Sequence, residues 1–214
     1  MKHLVPGEQM LETPWLWALI AFISGSLPLS VWLGKIALGV DIRNYGDGNP
    51  GAANVWRAGG RWWGLVAILL DGFKGLIPVA IANFGLGIQG WWLAVIALAP
   101  VLGHTFSPFL GFRGGKALST TFGVWCGLTL WLGPSVLGIS FALGLAVLVT
   151  PGWAVLFGML ILLVVLLITG SDPVLVAIWT GNFLLLIWRH LSDLRQPPKI
   201  SKGVLKVLFP QNRN

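Results

Sequence analysis

Long apolar runs separated by short polar connections dominate this sequence. A membrane-spanning helix needs about 20 mostly apolar residues, and candidate spans lie at 14–34, 62–84, 90–110, 117–132, 135–149, 153–170 and 173–188. Charged residues make up only 10% of the 214 residues, whereas a soluble domain has about 25%. The runs are continuous rather than alternating, which disfavours a transmembrane β-barrel. The sequence therefore predicts an all-α, polytopic membrane helix bundle with about seven transmembrane spans.

The distribution of basic residues predicts the orientation of this bundle. With the N-terminus outside, every Lys and Arg except Lys2 and Lys74 falls on the cytoplasmic side, as the positive-inside rule requires. This bias and anionic lipid headgroups explain the net charge of +7, and no nucleic-acid partner is expected. We predict one membrane-embedded domain over 1–214, with an external N-terminus at 1–13, spans and loops at 14–188 and a basic cytoplasmic tail at 189–214. Apolar residues interleave with basic ones in this tail, which predicts either an interfacial helix or an ordinary solvated segment.

The first cytoplasmic connection contains the glycine-rich stretch "RNYGDGNPGAANVWR", residues 43–57. Gly46, Gly48 and Gly51 allow backbone N–H groups to converge on an anion. Asn49 is a suitable N-cap for a short helix over 51–58, whose N-terminus would also attract an anion. The alternative is a tight turn that needs glycine only for its shape.

The same short helix places two polar side chains on one face. Asn54 and Arg57 are three residues apart, the spacing of neighbours on a helix surface. A guanidinium can donate a forked pair of hydrogen bonds to phosphate oxygens. We therefore expect Arg57 to bind a phosphate group beside the glycine-rich loop.

A second polar segment, "GHTFSPFLGFRGGK", ends the third apolar run on the same predicted side. Gly114 and Gly115 lie between the cations Arg113 and Lys116, a combination that predicts a phosphate-binding nest. The full spacing of a P-loop is missing, so nucleotide hydrolysis is not expected. His104 lies deeper in the apolar run, where a functional role and a structural hydrogen bond are both plausible readings.

A third polar segment, "WRHLSDLR", follows the last apolar run. His190 and Asp193 are three residues apart, so they share a helix face, and Arg189 and Arg195 flank them. The alternative to a binding site is a basic anchor at the edge of the membrane.

One further charged pair lies inside a predicted span. Asp71 and Lys74 stand three residues apart in "LLDGFKG". Opposite charges at this depth are expected to neutralise each other in the interior of the bundle. A proton relay is the alternative.

Together these segments resemble the PlsY-type family of bacterial acyl-phosphate:glycerol-3-phosphate acyltransferases. The resemblance rests on "SGSLPLS" in the first span and, in this order, on "VDIRNYGDGNPGAANVWRAGG", "LLDGFKGLIPV", "GHTFSPFLGFRGGKALST" and "WRHLSDLR". The last of these is a weaker version of the closing motif of the family. The resemblance covers nearly the whole chain.

Family membership would imply a multi-pass protein of the inner cell membrane with an active site that faces the cytoplasm. The implied reaction moves a fatty acyl group from acyl phosphate to glycerol 3-phosphate. Its product is lysophosphatidic acid for phospholipid synthesis. No metal and no cofactor is implied, and a single chain is expected to act as a monomer among membrane lipids. The main alternative is a small membrane transporter of anions or lipids.

The resemblance also implies roles for individual residues. The expected catalytic residues are Arg57, Lys116 and His190, with His190 as a hydrogen-bond donor near the substrate phosphates. The expected substrate and phosphate-binding residues are Ser26, Asp47, Gly48, Asn49, Gly51, Asn54, His104, Arg113, Gly114, Gly115 and Asp193.

Two of these residues depart from the family pattern. Asp47 stands where the family has serine, and Asp193 stands where it has asparagine. Each exchange replaces a hydrogen-bond donor by a group that only accepts when ionised. The sequence leaves three readings open: a neutral Asp in a dry site, an acceptor with less negative charge, or a divergent relative with another activity or none.

Overall fold

The structure is a computed structural model, and it describes residues 13–201 and residue 204. The α-helices of the described part are α1 (Pro14–Ser26), α2 (Leu29–Leu38), α3 (Ala52–Ala80), α4 (Gly90–Thr105), α5 (Leu118–Thr129), α6 (Leu132–Val147), α7 (Pro151–Ile168), α8 (Pro173–Arg189) and α9 (Leu191–Leu194). Short 3₁₀ turns lie at Ile42–Asn44 and Pro108–Leu110, and a π-helical turn, Ile81–Gly85, follows α3. Within this part, extended pairing is limited to one bridge between Leu148 and Ile200.

The predicted all-α membrane architecture is confirmed. Four helical stretches are long enough and apolar enough to cross a bilayer, namely Pro14–Ala37, Ala52–Gly85, Gly90–Leu110 and Pro151–Ile168. Leu132–Val147 and Pro173–Arg189 are shorter apolar helices. The count of seven spans and the orientation of the bundle stay predictions. The predicted external segment up to residue 12, and the proposed amphipathic part of the tail apart from residue 204, lie outside the described residues.

The first apolar run is broken between α1 and α2. Leu27 has extended backbone angles (φ −59°, ψ 124°), as expected for a residue that precedes proline. The break prevents continuous helical hydrogen bonding and exposes the Leu27 carbonyl within the bundle. Lys74 Nζ donates a hydrogen bond to that carbonyl over 2.8 Å. The chain break thus provides a ligand for a buried cation.

The start of α3 agrees with the sequence prediction in one respect and differs in another. Gly60 has non-helical angles (φ 79°, ψ −178°) that separate a short first segment from the long one, which matches the predicted short helix. The prediction that Asn49 is the N-cap is wrong. Gly51 occupies that position, so the helix has no side-chain cap. The Asn49 backbone N–H instead donates to the Asp47 carboxylate.

Close helix packing explains the glycines of α1 and α4. A Cβ on Gly25 would collide with the Pro100 carbonyl, and one on Gly103 would collide with the Phe22 carbonyl. Small residues let membrane helices approach closely where van der Waals packing replaces hydrophobic association. The main core lies beside this pair, around the fully buried side chains Trp125 and Met159.

Candidate active site

Three loop segments meet at one end of the bundle and line a cleft of about 520 Å³. The lining comes from residues 47–50, 112–114, 116, 188–189 and 191–192. These are the three polar segments that the sequence analysis placed on one side of the membrane. The structure therefore brings together the glycine-rich loop before α3, the loop between α4 and α5, and the C-terminal end of α8.

The Lys116 ammonium belongs to the loop between α4 and α5 and contacts one carboxylate from each of the other two segments. Its Nζ lies 3.1 Å from Asp47 Oδ2 and 3.4 Å from Asp193 Oδ2. The Lys116 side chain is 28% exposed, and those of Asp47 and Asp193 are 44% and 20% exposed. The two residues that depart from the family pattern thus contact the same cation.

Asp47 is fixed by hydrogen bonds to its second carboxylate oxygen. The Asn49 N–H and Asn54 Nδ2 donate to Oδ1 over 3.2 and 3.1 Å. Partial burial opposes ionisation, but the hydrogen bond and charge of Lys116 and these two donors outweigh it and lower the pKa of Asp47. These contacts favour the ionised carboxylate, and the geometry gives no support to the reading in which Asp47 is a neutral donor.

Arg57 is connected to the cleft by a hydrogen bond to Asn54, which in turn donates to Asp47. Arg57 Nη1 donates to Asn54 Oδ1 over 2.6 Å and lies 4.0 Å from Asp47 Oδ1. The buried Asn54 amide also donates to the Asn49 carbonyl over 2.8 Å. Gly46 (φ 56°) borders this group, and a Cβ there would collide with the Asn54 and Arg57 side chains. Asn54 and Arg57 share the predicted helix face, and the structure adds a hydrogen bond between them.

Arg189 orders the loop that carries Lys116. Its Nε donates to the Gly115 carbonyl over 3.0 Å and its Nη2 to the Gly114 carbonyl over 2.6 Å. The guanidinium also lies 5.4 Å from the centre of the Trp188 ring, within cation–π distance. From the sequence, Arg189 was expected only as a charge that flanks His190 and Asp193. Its position directly before His190 in the closing motif was the available signal.

The predicted backbone nests are wrong for most of the N–H groups concerned. Gly114 and Gly115 donate their N–H groups to the carbonyls of Thr105 and His104. Gly48 donates to the Tyr45 carbonyl over 3.1 Å. These donors are used by the fold, so the cationic character of the cleft comes from side chains. In the part of the chain that the structure describes, the exposed Arg113 guanidinium has no ion-pair partner.

His190 is buried behind the cleft rather than in its lining. It is 3% exposed, and its Nδ1 donates to the Leu186 carbonyl over 2.9 Å. In this tautomer Nε2 is an acceptor, so the expected donation from His190 to a substrate phosphate has no support in this geometry. The residue ends α8 and begins α9, and this turn brings Asp193 to Lys116.

His104 and Ser26 line a separate, small cavity of about 10 Å³ beneath the cleft. Ser26 Oγ donates to the Phe22 carbonyl over 2.7 Å, and His104 Nδ1 lies 2.9 Å from Lys74 Nζ. Lys74 also forms the predicted buried pair with Asp71 (2.8 Å). The structural hydrogen bond considered for His104 is therefore present, whereas the expected direct role of His104 and Ser26 in the cleft has no support. Across residues 13–201 no group of three or more His, Cys, Asp or Glu side chains is arranged to hold a metal ion.

Comparison with known proteins shows the family of this chain. A family model described as "Glycerol-3-phosphate acyltransferase" matches residues 15–197. The chain belongs to the glycerol-3-phosphate acyltransferase family. Glycerol-3-phosphate acyltransferase 1 of Thermotoga maritima is 40% identical over 191 residues, which cover 83% of this chain and 94% of that protein. The glycerol-3-phosphate acyltransferase of Geobacter sulfurreducens is 37% identical over 83% of this chain and 90% of its own.

Solved structures of the family have the same fold. The glycerol 3-phosphate form of PlsY (YgiH), an integral membrane glycerol 3-phosphate acyltransferase, superposes with a TM-score of 0.78 at 30% identity, covering 92% of this chain and 98% of that one. Its lysophosphatidic acid form gives a TM-score of 0.77 at 29% identity, covering 85% and 90%. The resemblance seen in the sequence is thus confirmed, and the chain is a multi-pass membrane protein of an enzyme family rather than a transporter.

Proposed function

We propose that this chain transfers a fatty acyl group from acyl phosphate to the 1-hydroxyl of glycerol 3-phosphate, at the cleft around Lys116. Lysophosphatidic acid and inorganic phosphate would be the products. The enzyme would act as a monomer in the inner membrane, with the cleft facing the cytoplasm. The basic residues at the cleft end of the bundle support this orientation.

The observation that carries the proposal is the convergence of cations on one cleft. Arg113, Lys116 and Arg189 line it, and Arg57 stands beside Asp47 at its edge. Both proposed substrates carry a phosphate group, and guanidinium and ammonium groups are the usual protein partners of phosphate. The site therefore has the charge to hold two phosphorylated molecules side by side.

The chemistry asked of the cleft is mainly positioning. Acyl phosphate is a mixed anhydride, so attack by the glycerol 3-phosphate hydroxyl on its carbonyl carbon forms the ester bond and breaks the bond to the phosphate oxygen. The hydroxyl proton passes to a phosphate oxygen of the substrates. Among the described residues, the cleft lining contains no histidine that could serve as a base. Holding the two substrates together lowers the entropic cost of the reaction, and the cations stabilise the charge that develops.

An apolar rim lies next to the charged floor of the cleft. Phe112, Trp188 and Leu191 belong to the lining, and Phe106 stacks on Trp188 with ring centroids 5.3 Å apart. Phe112 and Trp188 are 66% and 47% exposed. Such a rim suits the apolar chain of a lipid donor, so we place the first carbons of the acyl group here.

The test is a comparison of acyl donors with the purified chain and labelled glycerol 3-phosphate. We expect lysophosphatidic acid to form with acyl phosphate and not with an acyl thioester of the same chain length. Formation of product from the thioester alone would overturn the assignment of the donor. Failure with both donors, under conditions in which the Thermotoga maritima relative is active, would overturn the proposed reaction.

A further inference from the structure

The two carboxylates at Lys116 have the geometry of internal competitors for a bound anion. An ammonium group has three N–H donors. The Lys116 Nζ forms an ion pair with Asp47 Oδ2 over 3.1 Å and donates a hydrogen bond to Asp193 Oδ2 over 3.4 Å. Lys116 also lines the cleft. Any anion that binds this ammonium therefore shares it with two negative groups or displaces one of them.

Each carboxylate is held toward Lys116 by its own surroundings. The Oδ1 atom of Asp47 accepts hydrogen bonds from Asn49 and Asn54, which leaves Oδ2 to face the ammonium. The Asp193 side chain packs against Gly152 at the start of α7, where a Cβ would lie only 2.6 Å from Asp193 Cβ. The two carboxylates are thus held at the cation by two different parts of the fold.

This arrangement also changes the charge that a phosphate would meet. Lys116 with two ionised carboxylates carries a formal charge of −1, whereas the isolated lysine would carry +1. Partial exposure of all three side chains screens their interactions, but does not remove them. Arg57, Arg113 and Arg189 supply the remaining positive charge at the cleft.

We propose that Asp47 and Asp193 determine how tightly the cleft holds phosphate, by competing with it for the Lys116 ammonium. A substrate phosphate displaces a carboxylate when it binds. The carboxylate returns to Lys116 when inorganic phosphate leaves, so the pair weakens product retention as well as substrate binding. This inference rests on the proposed function in taking a phosphate group as the ligand of the cleft.

A role as general base fits these residues less well. Both oxygens of Asp47 already accept hydrogen bonds or contact a cation, and its lowered pKa makes it a weak base. Asp193 does not line the cleft, although the neighbouring Leu191 and Ser192 do. Asp47 and Asp193 therefore have the contacts of residues that act through Lys116.

The test measures binding of inorganic phosphate to the purified full-length chain by calorimetry, without turnover. The variants are Asp47→Asn, Asp193→Asn and the double replacement, each of which keeps the shape of the side chain. Asp172→Asn is the matched control, because Asp172 caps α8 at the end remote from the cleft and asparagine is an equally good cap. We expect each of the two single variants to lower the Kd for phosphate by about fivefold, and the double variant by about twentyfold or more.

Several results would overturn this inference. Unchanged or weaker phosphate binding in both single variants, with the control equal to the wild type, would show that the acids do not compete for Lys116. If a single Asn variant does not fold, Asp47→Ser and Asp193→Ser provide the same comparison.

A series of Kd values that falls as expected in a chain without acyl transfer would support the inference while the proposed function fails. Normal acyl transfer, together with phosphate Kd values that do not differ between the wild type and the variants, would support the proposed function and overturn the inference.

Discussion

Lys116 and Asp47 belong to loops that precede different helices, yet Lys116 Nζ lies 3.1 Å from Asp47 Oδ2. Asp47 is held in this position by the N–H of Asn49 and the amide of Asn54. On the other side, the loop of Lys116 is held by Arg189. The contact therefore depends on both loops being correctly placed. A change in the residues that hold Asp47, or in Arg189, is expected to affect Lys116.

Gly46 leaves space for the side chains of Asn54 and Arg57, and a matched pair of glycine variants tests whether that space is needed. Gly46 and Gly39 both have positive φ angles (56° and 66°), so an alanine at either position carries a similar backbone strain. Only at Gly46 would the new Cβ collide with Asn54 and Arg57. We expect Gly46→Ala to lower kcat/KM for acyl transfer by at least about tenfold, and Gly39→Ala to stay within about twofold. Equal effects of the two variants would show that Arg57 does not need this space.

The role of Arg189 depends on its fork of donors rather than on its charge alone. A lysine keeps the charge but cannot donate in parallel to the Gly114 and Gly115 carbonyls. We expect Arg189→Lys to lower kcat by about tenfold with little loss of thermal stability. The control is Arg195→Lys, an exposed position outside the cleft lining. Wild-type kcat in Arg189→Lys would mean that these two hydrogen bonds are not needed to hold the loop.

The buried pair of Asp71 and Lys74 is expected to matter for stability. Lys74 Nζ contacts Asp71, the Leu27 carbonyl and His104, and both charged side chains are 3% exposed. Lys74→Met leaves the Asp71 carboxylate without a cation, which typically costs about 3–5 kcal/mol. Chemical denaturation in detergent should show this loss, whereas Lys35→Met, at an exposed position, should change the free energy of unfolding by less than about 0.5 kcal/mol. A small effect of Lys74→Met would contradict the importance of this buried pair for stability.

The ionisation of Asp47 predicts how its effect depends on pH. Because the pKa of Asp47 is lowered, its contact with Lys116 is present above the usual range of a carboxyl pKa and is lost only as the pH falls through the lowered value. Sulfate is a suitable probe, since its own charge does not change over this range. The ratio of the sulfate Kd of the wild type to that of Asp47→Asn should exceed one and stay constant between about pH 5.5 and about pH 8. A ratio that falls to one at the lower pH would show that Asp47 is protonated there.

The parts of the fold that depend on local sequence could be predicted. Apolar runs identified the helices, and the segment after Gly51 formed the expected short helix up to the break at Gly60. The meeting of the three polar segments also followed from the sequence, because alternating spans place every second connection on the same side. Asp71 and Lys74, three residues apart, formed the expected pair.

The details of the cleft could not be predicted because they depend on tertiary contacts. Glycines beside cations suggested a backbone nest, but the N–H groups of Gly114 and Gly115 bond to carbonyls at the end of α4. The sequence gives no sign of that approach. Likewise, the sequence identifies Asp47 and Asp193 as departures from the family pattern, but it does not show that both contact Lys116. His190 differs from its expected role because Leu186, one turn earlier, accepts its Nδ1–H.

The most direct test of the account measures both products of a single reaction. The purified chain is given acyl phosphate and labelled glycerol 3-phosphate, and lysophosphatidic acid and inorganic phosphate are counted together. We expect equal amounts from the wild type and a loss of at least about a hundredfold in the rate with Lys116→Ala. The exposed Arg61, which follows the break in α3 and lies outside the cleft lining, provides the control variant Arg61→Ala, with a rate near that of the wild type. Release of phosphate without lysophosphatidic acid, or an undiminished rate in Lys116→Ala, would contradict the claim that acyl transfer takes place at this cleft.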